Sequence, residues 1–478
     1  MGQALQKART GITGLDELTR GGMPRGRPTL LCGGPGCGKT LLATGFLVHG
    51  ALDQGEAGVF MSFDERIEDV EINSYSLGYD LGRLREQGLL AADFVHLDRN
   101  EIEESGAFDL EGLFVRLNLA VQAVGAKRVV LDSIDSLFAS LPNEAIVRSE
   151  LRRLLGWLKE RGLTTIITAE RGQTGLTRHG VEEYVSDCVI VLDHRVIDEI
   201  ATRRLRVVKY RGSVHGTNEY PFLIGTDGLT VLPVTTLGLE HTVSEERILT
   251  GIAGLDEMLE GRGYYKGSSV LISGGPGTGK TSLAAHFVGA ACARGQRCLY
   301  FSLEESPRQL VRNMRSIGVE LQKWIDQGLL NCHAARPTEY GLETHLALMH
   351  KVIRESAPGI VVVDPVSALV GGGERGQVQV MVLRLVDFLK SKGTTAMFLS
   401  LQTEPTLAQT ELNVSSLMDS WLTLTIPSRD GAALRALQII KSRGMAHPMQ
   451  PHAMEITARG VRVDLGPGGL ATEPRQGR

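Results

Sequence analysis

The fold is decided by a stretch that occurs twice in the chain, as Gly33-Gly34-Pro35-Gly36-Cys37-Gly38-Lys39-Thr40 and as Gly274-Gly275-Pro276-Gly277-Thr278-Gly279-Lys280-Thr281. Each copy has the spacing G-x-x-x-x-G-K-[ST] and lies between an apolar, strand-like run and a helix-like run. In that context the glycines let backbone N–H groups face phosphates, and the helix N terminus adds partial positive charge. The two stretches therefore predict two ATP-binding phosphate loops. Lys39 and Lys280 would reach the β- and γ-phosphates.

The loops belong to a repeat that covers most of the chain. Four further blocks recur in the same order and at nearly constant spacing: GITGLDEL at 11–18 and GIAGLDEM at 251–258, FMSFDE at 60–65 and YFSLEE at 300–305, VVLDSIDSL at 129–137 and VVVDPVSAL at 361–369, VVKYRGSVH at 207–215 and IIKSRGMAH at 439–447. Five blocks in one order indicate a duplicated domain. We predict a first domain at 1–236, a second at 237–463 and a disordered tail at 464–478.

Short apolar runs alternate with helical patterns in each copy. The runs PTLLCGG, RVVLDS, TTIITAE and CVIVLDH of the first half are apolar throughout rather than alternating. Continuous apolar character is typical of strands that are buried on both faces, as in a parallel sheet covered by helices. The predicted fold class is α/β, with two tandem P-loop domains that each contain a mostly parallel sheet flanked by helices.

Composition limits the classes of protein. The chain has 478 residues, which is too long for one core. Its net charge of −4 offers no general attraction to nucleic acid or to an anionic membrane. No apolar run approaches the roughly 18 residues of a membrane helix, and Met1–Thr10 lacks an apolar signal core, so we expect a cytoplasmic protein. The six cysteines form no C-x-x-C pair and are interpreted as reduced thiols.

An aspartate ends a strand-like run in each copy. Asp132 follows Val-Val-Leu, and Asp364 follows Val-Val-Val. Alone, either could simply cap a strand, but with a phosphate loop upstream each is a candidate for holding the water shell of Mg²⁺. Thr40 and Thr281, which end the two loops, would ligate the same ion directly.

An acidic pair follows another strand-like run in each copy, as Asp64-Glu65 and as Glu304-Glu305. A carboxylate near the γ-phosphate can orient or deprotonate a nucleophile. The alternative is a helix N-cap, because acidic residues favour the first turn of a helix. Recurrence at equivalent positions favours catalysis.

A Lys-x-Arg-Gly segment lies late in each repeat, with Lys209 and Arg211 in the first copy and Lys441 and Arg443 in the second. A single such segment would more often be a solvated strand edge. Its repetition suggests cations that act in trans on the γ-phosphate of a neighbouring subunit, as arginine fingers do.

Taken together, the tandem loops, the carboxylate pairs and the two KxRG segments resemble the KaiC family of RecA-like circadian ATPases, from Gly11 to about Val463. RHGVEEYVSD at 178–187 and GAFDLEGLFVRLNLAV at 106–121 are similar to the family's first domain. The resemblance implies two RecA-like domains and a double-ring homo-hexamer. It also implies ATP between subunits, with the phosphate loop from one subunit and the KxRG cations from the next.

The resemblance also implies an autokinase and autophosphatase in the second domain, with two adjacent hydroxyl residues as phosphoacceptors. In NVSSLMDSW at 413–421 these positions are Ser415 and Ser416. The first domain places Glu182 and Glu183 there, which cannot accept a phosphoryl group, so the first ring would only hydrolyse ATP. The alternative for the serines is a polar turn in which they cap a helix.

Some features depart from the family pattern. Asp64 replaces the first glutamate of the first acidic pair, so hydrolysis there would be weak or would depend on Glu65. No long C-terminal extension is evident, so a KaiA-type activator is not expected. The sequence leaves open a KaiB-type partner on the first domain, through Asn100 to Phe108.

Two other functions remain open from the sequence. A RecA- or DnaB-like DNA motor shares the core chemistry, but it needs basic loops with interleaved aromatics, and aromatics are only 5% of this chain. DNA is therefore not an expected partner. The second rival is a scaffold that uses ATP only to hold rings together. Catalytic carboxylates in both halves argue against it.

Overall fold

The computed structural model describes residues 5–95, 111–138, 144–172, 186–197, 200–232, 244–372, 375–402, 414–429 and 432–466. The chain divides into two compact units, Met1–Thr235 and Thr236–Arg478. Each unit repeats the order of elements of the other, so they are described one after the other.

The first unit opens with a pair of two-residue antiparallel strands that flank a short helix, and then alternates strands with helices. Its strands are β1 (Lys7–Ala8), β2 (Met23–Pro24), β3 (Pro28–Gly33), β4 (Gly58–Ser62), β5 (Leu90–Phe94), β6 (Arg128–Asp132), β7 (Thr164–Glu170), β8 (Cys188–Ile197), β9 (Ile200–Tyr210), β10 (Tyr220–Gly225) and β11 (Gly228–Val231). Its described helices are α1 (Leu15–Leu18), α2 (Lys39–Gln54), α3 (Ile67–Tyr75), α4 (Leu81–Glu86), α5 (Glu111–Val124), α6 (Ile134–Phe138) and α7 (Glu144–Glu160).

The second unit repeats this order, with two additional short strands before the counterpart of β9. Its strands are β12 (Arg247–Ile248), β13 (Tyr264–Tyr265), β14 (Ser269–Gly274), β15 (Cys298–Ser302), β16 (Leu330–Ala334), β17 (Ile360–Asp364), β18 (Thr395–Leu401), β19 (Ser420–Thr425), β20 (Ser428–Arg429), β21 (Ala432–Ala433), β22 (Arg435–Ser442), β23 (His452–Thr457) and β24 (Gly460–Asp464). Its described helices are α8 (Ala253–Met258), α9 (Lys280–Ala293), α10 (Pro307–Arg315), α11 (Gln322–Asp326), α12 (Leu342–Ser356), the 3-10 helix Val366–Gly372 and α13 (Arg375–Ser391).

Each unit is built on one large sheet. Among the described residues the first sheet has nine strands in the order β11-β10-β9-β8-β3-β7-β6-β4-β5, and the second has the equivalent nine in the order β16-β15-β17-β18-β14-β19-β22-β23-β24. The neighbouring strands β5, β4, β6, β7, β3 and β8 pair in parallel, in that order. The remaining pairs, β8 with β9, β9 with β10 and β10 with β11, are antiparallel. The predicted mostly parallel α/β sheet is confirmed.

Both faces of the first sheet are covered. Leu31 of β3 belongs to an apolar cluster with α1 and α2, whereas its neighbour Leu30 belongs to a second cluster with α5 and α7. Successive residues of a strand point to opposite faces, so a fully apolar strand supplies both clusters. This explains why the run PTLLCG of β3 is buried at every position.

The parallel strands place the phosphate loop, the acidic pair and the strand-ending aspartate of each unit at the same edge. Strands β3, β4 and β6 all end there, and residues that follow the carboxyl ends of neighbouring parallel strands lie together. This is the edge at which open α/β sheets bind ligands.

Candidate nucleotide-binding and phosphotransfer site

The first phosphate loop joins β3 to α2. The Lys39 Nζ donates to the carbonyls of Gly33 and Gly34 at 2.9 and 3.1 Å. Gly38 has a φ of 96°, which favours glycine, and no side chain caps the helix that begins at Lys39. A Cβ at Gly34 or Gly36 would meet nothing within 4 Å. The loop is thus a lysine-bearing cradle with open space before it and uncapped helix N–H groups, which fits a phosphate chain.

The second loop joins β14 to α9 in the same way. The Lys280 Nζ donates to the carbonyls of Gly274 and Gly275, both at 2.8 Å. Gly279 has a φ of 100° and again no side chain caps the helix. Burial lowers the pKa of Lys280, while the carboxylates of Asp364 and Glu304 act to raise it. The predicted lysine and two of the predicted carboxylates therefore lie within electrostatic reach of one another.

The strand-ending aspartate of the second unit meets the end of the loop. The Thr281 hydroxyl donates to Asp364 Oδ2 at 2.8 Å, and the Tyr300 hydroxyl donates to the same oxygen at 2.5 Å. Burial raises the pKa of Asp364, and these hydrogen bonds and Lys280 oppose the rise. A hydroxyl and a carboxylate at the end of a phosphate loop are the oxygen ligands that suit Mg²⁺.

In the first unit the equivalent aspartate has a different partner. The Thr168 hydroxyl donates to Asp132 Oδ1. Burial raises the pKa of Asp132, and hydrogen bonds from Thr168 and Thr40 oppose the rise. Thr40 and Asp132 are thus brought together as Thr281 and Asp364 are. In the described part of the chain no group of three or more His, Cys, Asp or Glu side chains is placed to hold a metal ion.

The acidic pairs follow β4 and β15 at this edge. The last residue of each strand holds the pair, since Ser62 Oγ donates to the Glu65 carbonyl and Ser302 Oγ to the Glu305 carbonyl, each at 2.6 Å. The helices that follow are not capped by the pairs, because their N-cap residues are Arg66 and Ser306. Sequence analysis missed the two serines, although both occupy the same position in the repeat.

The carboxylates of the two acidic pairs have different surroundings. Ser133 Oγ donates to Asp64 Oδ2 at 2.6 Å, and the Ser136 hydroxyl donates to Asp64 Oδ1. The second unit has Pro365 and Ala368 at the positions of these serines, so it lacks both donors. In the sequence this difference is visible as D-S-x-x-S at 132–136 against D-P-x-x-A at 364–368. Asp64 is restrained by two serine hydroxyls that have no counterparts beside Glu304.

The KxRG cations of the second unit lie around Asp419. Ser269 N donates to Asp419 Oδ2 at 2.9 Å, and Lys390 Nζ lies 2.8 Å from the same oxygen. Arg443 lies 3.6 Å from Asp419 Oδ1. Burial acts to raise the pKa of Asp419, but hydrogen bonds from Lys390 and Ser269 lower it overall. The half-buried carboxylate of Asp419 is thus an anchor for the cations.

The first unit has the same anchor. Arg211 lies 3.9 Å and Lys159 3.4 Å from the carboxylate of Asp187, whose backbone N–H donates to the Pro28 carbonyl at 3.1 Å. Pro28 is the first residue of β3, as Ser269 is of β14. Lys159 and Lys390 were not singled out in the sequence, because a lysine near a helix end is ordinarily a solvated residue.

In each unit the predicted site residues therefore form two groups, which lie at opposite ends of the parallel strands. The cations lie where β14 begins, at Ser269, and the phosphate loop starts where it ends, at Gly274. Five residue steps along a parallel strand span about 16 Å. One chain does not bring its own KxRG cations to its own phosphate loop.

A β-bulge precedes the lysine of each KxRG segment. Lys209 pairs with Val189 while Val207 pairs with Ile190, which leaves Val208 as the extra residue. The second unit has the same irregularity before Lys441. A bulge redirects the side chains beside it and often lies next to a functional site. Both copies therefore have a β-bulge that sets the direction of this lysine side chain.

The two candidate phosphoacceptors form a tight turn before β19. Leu417 N donates to the Val414 carbonyl at 3.0 Å, and both Val414 and Met418 are fully buried. Ser415 is half-buried and Ser416 is exposed between these anchors. No helix follows the turn, so the serines are not helix caps.

The cations of the same chain contact this turn. Lys441 Nζ donates to the carbonyls of Ser415 at 2.9 Å and Ser416 at 3.3 Å, and Arg443 donates to the Ser416 carbonyl at 2.9 Å. The structure thus brings together the predicted acceptors and the predicted cations of the second unit. Both lie at the edge away from the phosphate loop.

Several predictions fall outside the described residues. These are Glu182 and Glu183, the segment from Asn100 to Phe108, and residues 467–478 of the tail; β24 itself ends at Asp464. No helix in the described part of the chain is long and apolar enough to cross a membrane.

A parallel sheet with a glycine-rich loop between strand and helix, and a lysine held over that loop, defines a P-loop nucleotide-binding protein, here with two sites in one chain. The model of the KaiC ATPase family matches residues 8–236 and 248–466. The chain is 51% identical to the circadian clock protein KaiC2 of Synechocystis sp. over 462 residues, which is 96% of this chain and 81% of that protein.

It is also 36% identical to the circadian clock oscillator protein KaiC of Synechococcus elongatus over 465 residues, which is 96% of this chain and 89% of that protein. The chain belongs to the KaiC family of ATPases. The resemblance inferred from the repeated motifs is confirmed.

Proposed function

We propose that the second domain transfers the γ-phosphoryl group of ATP to Ser415 or Ser416 of a neighbouring copy, and that the first domain hydrolyses ATP. One observation carries this proposal: the acceptor turn lies near Ser269, about 16 Å along β14 from the loop that begins at Gly274. The acceptor of one chain must therefore reach the loop of another. We propose the double-ring homo-hexamer of the family, with ATP between subunits.

The proposed transfer uses residues from two chains. The acceptor Oγ forms a bond to the γ-phosphorus, the bond from that phosphorus to the β,γ-bridging oxygen breaks, and ADP leaves. Glu304, with Glu305 beside it, takes the hydroxyl proton. Lys280 binds the phosphates from one side, and Lys441 and Arg443 of the neighbouring chain bind them from the other.

The donor set at the end of each loop supports a role for Mg²⁺. When bound, the ion would neutralise phosphate charge, with Thr281 and Asp364 as its residues in the second domain and Thr40 and Asp132 in the first. These residues already meet: the Thr281 hydroxyl lies 2.8 Å from Asp364 Oδ2.

In the first domain we propose that water is the acceptor. The first domain has Glu182 and Glu183 in the segment before Asp187, where the second has Ser415 and Ser416 before Asp419, and a carboxylate cannot replace the serines as acceptors. Lys209 and Arg211 would act on the ATP of the neighbouring first domain. Because Asp64 is held by two serine hydroxyls, Glu65 is the better placed residue for orienting the water.

The phosphorylation state of Ser415 and Ser416 would be the output, as a timer or a signal, with dephosphorylation at the same site. Each phosphate adds about −1.5 to −2 charges beside Lys441 and Arg443. The two relatives named above are circadian clock proteins. A KaiB-like partner on the first domain belongs to the same proposal. The family match does not favour the DNA motor.

Mixing two inactive variants tests the transfer between chains. Lys280→Ala lacks a functional loop, and Ser415→Ala/Ser416→Ala lacks the acceptors. Co-assembled with γ-labelled ATP and Mg²⁺, they should label the Lys280→Ala chain, distinguished by a size tag, at Ser415 or Ser416. Labelling that appears only when loop and acceptor share one chain would contradict the proposal. Labelling of the Ser415→Ala/Ser416→Ala chain would also contradict it.

A further inference from the structure

The two metal-facing aspartates differ in which neighbouring strand supplies their hydroxyl partner. In the second domain it is Tyr300 of β15, whose hydroxyl lies 2.5 Å from Asp364 Oδ2. In the first domain it is Thr168 of β7, which donates to Asp132 Oδ1. β15 is equivalent to β4, and β7 is equivalent to β18, so the donor comes from opposite sides of the aspartate's strand.

The equivalent positions show a reciprocal exchange. Where the second domain has Tyr300, the first has Phe60, which lacks the hydroxyl. Where the first domain has Thr168, the second has Leu399, which also lacks it. All four side chains are fully buried. Each domain therefore has one hydroxyl in this position and not two.

The pairing of the strands explains which residue types can donate a hydrogen bond to each aspartate. Thr168 lies in the row directly beside Asp132, because Leu131 pairs with Ile167. Tyr300 lies two residues before Ser302, which pairs with Asp364, so it must reach diagonally. A short hydroxyl suffices beside the carboxylate, whereas the diagonal approach needs a long aromatic side chain.

From this exchange we propose that Tyr300 and Thr168 are positioning residues that fix the carboxylate of Asp364 and of Asp132 for Mg²⁺·ATP. In the second domain the hydroxyls of Tyr300 and Thr281 both donate to Asp364 Oδ2, and these two hydrogen bonds set the rotation of the carboxylate. Groups that hydrogen-bond a metal-binding side chain typically change metal affinity by 10- to 100-fold. The inference rests on the proposed metal role of the two aspartates.

A magnesium titration of the full-length chain with a non-hydrolysable ATP analogue tests this. Calorimetry should show that Tyr300→Phe, which copies Phe60, raises the Mg²⁺ concentration for half-saturation about tenfold at one of the two sites per chain. Adding Leu399→Thr, which copies Thr168, should restore it. A merely structural role would lower the melting temperature without moving the Mg²⁺ midpoint.

The first domain provides an independent test should Tyr300→Phe not fold. Thr168→Val removes that hydroxyl with little change of shape and should shift the other site. Asp364→Asn tests the proposed metal role of the aspartate separately from the positioning role of its hydroxyl partner. If Asp364→Asn shifts the midpoint but Tyr300→Phe and Thr168→Val do not, the positioning role is wrong. If Asp364→Asn also has no effect, the metal role and the positioning role both fall.

Discussion

The Lys441 Nζ donates to the backbone carbonyl of Ser415 at 2.9 Å within one chain. The lysine proposed to act on a neighbour's γ-phosphate therefore also holds the acceptor turn of its own chain. Movement of the turn and placement of the cation are coupled, because one ammonium group serves both.

Loss of the arginine beside this lysine should nearly abolish labelling. Arg443→Ala removes the cation proposed to complete the neighbour's site and its hydrogen bond to Ser416. We expect the rate of phosphoserine formation to fall about 10³-fold, the lower range for an arginine finger. Lys392→Ala removes an exposed charge near Lys390 and is the control. Equal rates in the two variants would refute the role of Arg443.

The two carboxylates of the first acidic pair should contribute unequally to hydrolysis. Asp64 is held by Ser133 and Ser136, so we expect Glu65→Gln to lower first-domain phosphate release at least about tenfold more than Asp64→Asn. The measurement uses a Glu304→Gln/Glu305→Gln background to suppress the second domain. The reverse ranking would show that Asp64 is the working base despite its two hydrogen bonds.

The first domain contains a buried ion pair between Arg128 and Glu56 that has no counterpart in the second domain, and breaking this pair should destabilise the first domain. Arg128 is fully buried, and its Nε lies 2.8 Å from Glu56 Oε2. Glu56→Ala leaves the guanidinium unpaired and should cost about 3–5 kcal/mol in urea unfolding.

The second domain shows how to remove the pair safely. Its residues at these positions are Ile360 and Gln296, and Ala291 stands where the first domain has Gly50. A Cβ at Gly50 would lie 2.4 Å from the Arg128 side chain. The variant Gly50→Ala/Glu56→Gln/Arg128→Ile should therefore recover most of the lost stability. Full loss in this variant would mean that the ion pair itself is required.

The second domain should lose stability in mild acid through His350. Its ring stacks on Phe388 with centroids 3.9 Å apart, and burial, with help from Arg354, lowers its pKa to about 3. The unfolded histidine titrates near 6.5. Below that pH the unfolded state binds a proton that the folded state does not, so stability falls as pH falls from about 6.5 toward 3, by up to ~1.4 kcal/mol per pH unit.

His350→Leu should remove this share of the pH dependence. The free energy of unfolding by urea at pH 7.5, 6.5 and 5.5 would be compared between the variant and the wild type. An identical pH slope in both proteins would assign the acid sensitivity to other groups.

Much of each site could be read from the chain because its residues are contiguous. The glycines around Lys39 and Lys280 set a backbone path that needs no distant partner, and a strand on one side and a helix on the other make that path a phosphate loop. Duplication added strength, since the same residue types recur at equivalent positions. The continuous apolar runs then implied strands buried on both faces.

What depends on contacts between distant residues needed the tertiary structure. Asp64 meets Ser133 and Ser136 only because β4 and β6 are neighbours in the sheet. Tyr300 could not be distinguished from a core aromatic until its hydroxyl was found beside Asp364. Periodicity predicts which face a side chain takes but does not identify its partner across the sheet.

The sequence by itself determined that this protein has two phosphate loops in two duplicated α/β domains, because short-range spacing and apolar patterning encode both. Only the tertiary structure decided that the KxRG cations and Ser415 lie at the sheet edge away from their own loop. The direction and pairing of β14, β19 and β22 set that separation, and strand pairing joins residues that are far apart in the chain.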